Sequence, residues 1–147
     1  TFLTIGAFDT EAEAQACFAQ ACALADLAFI TLDDEALLHG AADLDRVFGL
    51  PCAEVVVKRG TRSTLVRAAQ GPVVEVPVDV VTPVDTTAAG DSFAGGYLAL
   101  RLSGSDVRAA AAFGNRLAGR VIQHRGALIP AAAMHDLLQG LQPGAAT

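Results

Sequence analysis

The sequence is poor in positive charge. Its 147 residues hold 10 lysines and arginines against 16 aspartates and glutamates, a formal net charge of −6. Lys58 is the only lysine. Non-specific nucleic-acid binding needs a basic face, and attachment to an anionic membrane needs clustered lysine or arginine. The charge balance therefore argues against nucleic acids and membrane surfaces as partners. The length favours one domain.

Cysteine and long apolar runs are also scarce. Cys17, Cys22 and Cys52 form an odd set without CxxC spacing, which argues against a disulfide scaffold or a structural zinc site. We expect them to be small buried hydrophobic residues in a reducing cytosol. No apolar run reaches the ~18 residues of a membrane span, and the first residues lack the basic and apolar regions of a signal peptide. These absences predict a cytoplasmic protein.

Several common functional motifs are missing. The lone lysine, in the segment Val57-Lys58-Arg59, excludes a P-loop, which needs Gly-Lys-Ser/Thr. None of the three histidines belongs to an HExxH motif, and no Gly-x-Gly-x-x-Gly is present. The sequence thus gives no support to a P-loop NTPase, a zincin-type protease or a Rossmann dinucleotide site.

Helical and strand patterns alternate along the chain, which predicts an α/β layer fold. Thr10 and Glu13 form a capping box that starts the first helix. The predicted strands are 27–31, 54–58 and a hairpin of 64–68 with 73–76, followed by an extended piece at 78–81. The other predicted helices are one capped by Asp33 and ending at His39, 43–49, 91–102, one capped by Ser105 and running to about 124, and 130–139.

The most informative stretch runs from Asp85 to Gly96, where a loop of small residues leads into a helix. Backbone N–H groups in the first turn of a helix have no internal acceptors, and with the helix dipole they can bind an anion. Small side chains at 88–90 would let a phosphate approach closely. A carboxylate beside it, Asp91, could accept a proton from an attacking hydroxyl. The alternative is an ordinary capped helix in which Asp91 and Ser92 only satisfy backbone groups.

A serine hydrolase is a second alternative, because Gly90-Asp91-Ser92 resembles the start of some esterase motifs. Such an enzyme needs a histidine base that is oriented by an acid. Esterases of this type usually carry the acid three residues before the histidine. The three positions concerned hold Ala36, Val121 and Ala132. The pattern therefore disfavours Ser92 as a nucleophile.

The segment from Asp85 to Gly96 resembles the signature of the ribokinase-like sugar kinases, the phosphofructokinase B family, which usually reads Asp-Thr-Thr-Gly-Ala-Gly-Asp-x-Phe. Ala88 replaces a glycine of that signature. Segments 25–35, 55–60 and 121–130 resemble the branch that acts on 2-keto-3-deoxygluconate. The resemblance implies a ribokinase-like α/β fold with a largely parallel sheet flanked by helices. Because these kinases are roughly double this length, it also implies that 1–147 is the C-terminal, nucleotide-side half, without the sugar-binding half and lid.

The resemblance also implies roles for individual residues. Asp91 matches the catalytic base, and the backbone of Ala88, Ala89 and Gly90 matches an anion hole for the transferring phosphoryl group. Asp85, with Thr87, matches a monovalent-cation site such as one for K⁺. Asp34 stands where the family has a glutamate that helps to organise Mg²⁺. The positions that match the nucleotide-binding side are Lys58, Arg59, Gly60, Asn115, Gly126 and Ala127.

The function implied for the complete enzyme is transfer of the ATP γ-phosphate to a sugar-acid hydroxyl, converting 2-keto-3-deoxygluconate into its 6-phosphate. ATP, Mg²⁺ and a sugar acid would be the ligands. We expect the 147-residue chain alone to be inactive and to self-associate through surfaces left uncovered. The different-class alternative is a non-catalytic module that binds nucleotide or phosphate.

Overall fold

The computed structural model describes residues 8–69 and 71–139. They fall into two compact units that divide between Val76 and Pro77, and each unit is described by itself. Within these residues, no helix has both the length and the apolar character needed to traverse a bilayer.

The first unit opens with the predicted capping box. The Thr10 hydroxyl accepts the N–H of Glu13 at 3.2 Å, and the Glu13 carboxylate accepts the N–H of Thr10 at 3.2 Å. Helix α1 therefore begins at the predicted place and runs Glu11–Leu24. Strand β1, Leu27–Thr31, follows it and confirms the predicted strand.

Two short helices connect β1 to the next strand. Helix α2 runs Leu32–His39 and ends at Gly40, whose φ of 78° suits a residue without a side chain. Asp33 lies inside its first turn, so the prediction that Asp33 caps this helix is wrong: the N-cap residue is Thr31, the last residue of β1, and the helix begins at Leu32. Helix α3, Leu44–Phe48, is capped by Asp43, which accepts the N–H groups of its first turn.

The sheet contains β1, β2 (Glu54–Lys58), β3 (Ser63–Ala68) and β4 (Val74–Pro77) in that order. Strands β1 and β2 are parallel, whereas β2 and β3 are antiparallel. The α/β architecture is confirmed, and the sheet is mixed where the resemblance implies a largely parallel one. The reason is the length of the connections, because residues 59–62 are too few for the crossover that a parallel pair needs.

The core of the first unit is built from the strands and the helices beside them. Val55, Val56 and Val57 are fully buried, so β2 is covered on both faces. Cys22 and Cys52 are buried in this core, and the Cys52 thiol donates to the Cys22 carbonyl oxygen at 3.2 Å. Burial, followed by the neighbouring Cys52 thiol, raises the pKa of Cys22 to about 11. The prediction that the cysteines are buried is confirmed for these two, while Cys17 is half-buried.

The second unit is built on two long helices, α4 (Ala89–Leu102) and α5 (Val107–Val121). A short 3-10 helix, Ala131–Met134, and helix α6, His135–Gln139, follow them. The cap of α5 is Asp106, which accepts the Ala109 N–H at 2.8 Å. The prediction that Ser105 caps α5 is therefore wrong. The backbone N–H of Ser105 instead donates to Leu100 O at 3.0 Å and completes the end of α4.

Helices α4 and α5 cross at close range because glycine lies at the contact. Phe93, Tyr97 and Phe113 are buried between them, and Phe93 stacks on Tyr97 with ring centroids 5.9 Å apart. Gly114 lies against Phe93 so closely that a Cβ there would come within 2.9 Å of the Phe93 carbonyl oxygen. This packing fixes the first turns of α4, where the candidate site lies. The segment 78–81, predicted as extended, forms no strand.

Candidate functional site

The loop that leads into α4 is anchored to the end of α5. The N–H groups of Val84 and Asp85 both donate to the carbonyl oxygen of Ile122, at 2.7 and 3.1 Å. Ile122 is the C-cap residue of α5, where carbonyl groups lack helical partners. The loop thereby donates hydrogen bonds to a carbonyl group that α5 leaves unpaired at its C-terminus, and these bonds hold the loop beside that end of the helix.

Ala88 occupies the N-cap position of α4 in a left-handed conformation, with φ 60° and ψ 14°. Its methyl side chain provides no capping hydrogen bond. In the left-handed conformation, the Cβ atom of an L-amino acid comes too close to a backbone carbonyl oxygen. Glycine has no Cβ and therefore avoids this strain. The departure from the family signature therefore falls on a backbone position where glycine is the favoured residue.

We expect Ala88→Gly to stabilise the chain by about 0.5–1 kcal/mol. Removing the Cβ relieves about 1–2 kcal/mol of left-handed strain, and the greater freedom of glycine in the unfolded chain offsets about 0.4–1 kcal/mol of this gain. Urea unfolding of the two proteins measures the difference. The matched control is Ala99→Gly, at an exposed position inside the same helix, which should destabilise by about 1 kcal/mol. A loss of stability in Ala88→Gly would contradict the left-handed assignment.

Not all the backbone N–H groups of the predicted anion hole are available. The first bond of α4 joins Ser92 N–H to Ala88 O at 2.9 Å, and Ala89 N–H donates to Thr86 O at 3.2 Å. The expectation that Ala89 presents an unpaired N–H is therefore wrong, because the turn before the helix uses it. Within the described residues, the N–H group of Ala88 has no hydrogen-bond acceptor, and neither do those of Gly90 and Asp91, which lie inside α4. An anion could be bound by these two N–H groups at the positive end of α4.

Asp91 lies in the first turn of α4 and is exposed. Asp91 thus lies in the same helical turn as the two unpaired amides, and its carboxylate is accessible to solvent. Ser92 is half-buried, and no histidine in the described part of the chain hydrogen-bonds its hydroxyl. His124 Nδ1 contacts Arg120 O at 3.0 Å instead. The geometry gives Ser92 no base.

Asp85 is held by hydrogen bonds from two segments. Its Oδ1 accepts the Thr87 N–H at 2.9 Å, and its Oδ2 accepts the Gly126 N–H at 2.8 Å. Hydrogen bonds from the Thr87 side chain, the Gly126 N–H and the Thr87 N–H lower the pKa of Asp85 from 3.8 to about 2. The ionised Asp85 carboxylate therefore contributes to the stability of the fold. This contribution is fully present above pH 3.8 and is lost as the pH falls through about 2. Sequence reasoning missed this link, because Gly126 is distant along the chain.

The candidate nucleotide residues of the first unit lie at the end of β2. Lys58 is the last residue of β2, and Gly60 adopts a positive φ in the turn that follows. The Arg59 guanidinium donates to the Ser63 hydroxyl and, at 2.6 Å, to the Glu75 carboxylate. The Ser63 hydroxyl also donates to Glu75, at 2.7 Å, and this bond is the main cause that lowers the Glu75 pKa. Arg59 thus ties the turn to β4, a role that the sequence did not reveal.

The nucleotide candidates of the second unit lie on α5 and in the turn after it. Asn115 is half-buried, and its amide donates to the Pro77 carbonyl oxygen at 3.1 Å. Gly126 adopts φ 78°, and Ala127 beside it is exposed. The structure therefore brings the turn 126–127 to Asp85, at the start of the loop that leads to α4.

Asp34, the predicted magnesium residue, lies exposed in the first turn of α2. The neighbouring Glu35 is buried and accepts Arg46 Nε at 2.6 Å, which makes it a structural ion pair. In the described ranges, no three His, Cys, Asp or Glu side chains gather into a possible metal site. The magnesium role of Asp34 stays a prediction, in which the contact would be made through water, since Mg²⁺ keeps several waters and needs few protein ligands.

Comparison with known proteins identifies relatives of this arrangement. Residues 5–134 match the profile of the pfkB family carbohydrate kinases. The chain is 42% identical over 137 residues to the 2-dehydro-3-deoxygluconokinase of Dickeya dadantii, covering 86% of this chain and 43% of that protein. It is 46% identical over 130 residues to the enzyme of the same name from Escherichia coli K12, covering 83% and 42%.

A solved structure has the same fold. Aminoimidazole riboside kinase from Salmonella enterica, complexed with aminoimidazole riboside and an ATP analog, superposes with a TM-score of 0.75 at 26% identity. The match covers 92% of this chain and 50% of that one. The ribokinase-like fold implied by the sequence is thereby confirmed. The chain spans less than half the length of the two curated relatives.

Proposed function

The chain belongs to the pfkB family of carbohydrate kinases, and we propose that it is the nucleotide-side, C-terminal half of an ATP-dependent sugar-acid kinase. The proposed reaction of the complete enzyme transfers the γ-phosphoryl group of ATP to a hydroxyl of 2-keto-3-deoxygluconate and forms the 6-phosphate. The names of two relatives at 42% and 46% identity support this substrate.

The observation that carries the proposal is the N-terminus of α4. Two unpaired amides, those of Gly90 and Asp91, lie at the positive end of this helix with the Asp91 carboxylate in the same turn. In phosphoryl transfer the protein mainly positions the reactants and stabilises charge on the transferring group. The amides would stabilise the negative charge on the transferring phosphoryl group. The Asp91 carboxylate would accept the proton of the attacking sugar hydroxyl.

The remaining ligands are proposed by the family relationship. Mg²⁺, when bound with ATP, would neutralise charge on the phosphates, and Asp34 would contact it through water. The family relationship also supports a nucleotide-binding role, in each unit taken by itself, for Lys58, Arg59 and Gly60 of the first unit and for Asn115, Gly126 and Ala127 of the second. A monovalent cation at Asp85 and Thr87 and self-association of the chain stay predictions.

A non-catalytic module that binds nucleotide or phosphate is the second candidate, because the chain spans under half of its relatives. Both candidates predict that the chain binds ATP. They differ for a complete protein that contains this chain, where only the kinase consumes ATP in a sugar-dependent reaction.

We expect the 147-residue chain to bind ATP and to show no consumption of ATP that depends on 2-keto-3-deoxygluconate. Catalysis needs both substrates aligned in a site that excludes water, which half of a site does not provide. Isothermal titration with ATP measures binding, and release of ADP with and without the sugar acid measures turnover. Rapid sugar-dependent turnover by this chain would contradict its assignment as half of the kinase. Absence of ATP binding would contradict the proposal that this chain forms the nucleotide-side half.

A further inference from the structure

The carboxylate of Asp85 joins two segments that are 41 residues apart in the chain. One oxygen holds Thr87, in the loop that leads to the amides of α4, and the other holds Gly126, in the turn before Ala127. We infer that Asp85 is a positioning residue that keeps the phosphate-side loop and the nucleotide-side turn in register, so that both contact one ATP molecule. The inference rests on the proposed function, which assigns these two segments to the same nucleotide.

A carboxylate suits this role because it offers two acceptor oxygens to two N–H donors on different segments. An asparagine at this position would present one oxygen and one amide nitrogen. The nitrogen would face either the Thr87 N–H or the Gly126 N–H, both of which are donors. Asp85→Asn should therefore keep one link and lose the other, whereas Asp85→Ala loses both.

Other contacts hold the two segments when the carboxylate is removed. The N–H groups of Val84 and Asp85 still donate to Ile122 O, so the loop remains anchored to α5. Gly126 follows Ile122 by four residues and adopts φ 78°, a conformation that glycine tolerates without strain. The side chain of Asp85 thus adds a second link, which acts on Thr87 and Gly126 themselves and fixes these two residues relative to each other. The affinity for a ligand that contacts only one segment should not change when the Asp85 side chain is removed. The affinity for a ligand that contacts both segments should fall.

The test compares three probes on the 147-residue chain by NMR titration of backbone amides. ATP spans both segments, inorganic tripolyphosphate represents the phosphate side, and adenosine represents the nucleoside side. For Asp85→Ala we expect the Kd of ATP to rise about tenfold, as for loss of a charged hydrogen bond, while the Kd of each smaller probe changes less than about twofold. Asp85→Asn should fall between. Asp79→Asn, which alters an exposed carboxylate of the same unit, is the matched control and should leave all three Kd values unchanged.

Two results would overturn the inference alone. One is an equal loss of affinity for ATP and tripolyphosphate, which would mean that Asp85 only shapes the loop. The other is an unchanged Kd for ATP in both Asp85 variants. If Asp85→Ala does not fold, Asp85→Asn decides between these results by the same comparison. If the wild-type chain binds neither ATP nor tripolyphosphate, the proposed function fails at that step and the inference is overturned with it.

Discussion

Asp91→Asn, made in a complete kinase that contains this chain, is expected to lower kcat by about 10²–10⁴-fold. This corresponds to about 3–5 kcal/mol of transition-state stabilisation. The substitution keeps the size and shape of the side chain but removes the proton acceptor. ATP affinity should change little, because the amides of Gly90 and residue 91 remain in place at the start of α4. Steady-state kinetics with ATP and the sugar acid, together with ATP titration of the variant, measure both quantities.

Ser92→Ala is the matched control for Asp91→Asn, since it changes the next residue of the same helical turn. The proposed kinase reaction gives the Ser92 hydroxyl no chemical step, and we expect kcat to fall by less than about threefold, a change below 1 kcal/mol. A serine hydrolase predicts the opposite order and also predicts covalent labelling by an active-serine reagent. If Ser92→Ala is the more damaging substitution, the assignment of Asp91 as base is wrong.

Local signals were readable from the sequence where neighbours along the chain decide the structure. The capping box of Thr10 and Glu13, strands β1 and β2 and the small-residue loop before α4 all depend on residues a few positions apart. The Asp85–Gly96 segment led to the family because its residue types recur at fixed spacing. The family profile and the fold comparison confirmed that interpretation.

The errors occurred where two local solutions are nearly equivalent. Ser105 and Asp106 are both good N-cap residues, and the choice depends on Ser105 N–H, which is bound by Leu100 O at the end of α4. At the other junction, β1 ends at Thr31, and Thr31 is also the N-cap residue of α2. The helix therefore begins at Leu32, and Asp33 lies inside it. Such choices depend on how the preceding element ends.

Contacts between distant residues could not be predicted at all. The link from Asp85 to Gly126 and the contact of Arg59 with Glu75 join residues 41 and 16 positions apart. Each polar group has a plausible role as an exposed residue when the sequence is read alone. Only the folded chain shows that Asp85 and Arg59 are engaged in hydrogen bonds that hold turns in place.

Gly114→Ala is expected to destabilise the second unit by about 1–3 kcal/mol, the usual effect of overpacking. An added Cβ would lie 2.9 Å from both the Phe93 carbonyl oxygen and a Phe93 ring carbon. The ring could rotate, but the carbonyl belongs to the backbone of α4, so α4 itself would have to move away from α5. Asp91 lies two residues before Phe93, and we therefore expect ATP affinity to fall together with stability.

The matched control for Gly114→Ala is Gly119→Ala, one turn and a half further along the same helix. A Cβ at Gly119 meets only Val81, at 4.0 Å, which is ordinary van der Waals contact. Alanine is favoured over glycine inside a helix by about 1 kcal/mol, so this variant should be more stable than the wild type. Urea unfolding of both variants gives changes of opposite sign if α4 and α5 cross as closely as the structure shows. Equal stabilisation by the two alanines would mean that Phe93 does not lie against Gly114, and the position of Asp91 that depends on this contact would be wrong as well.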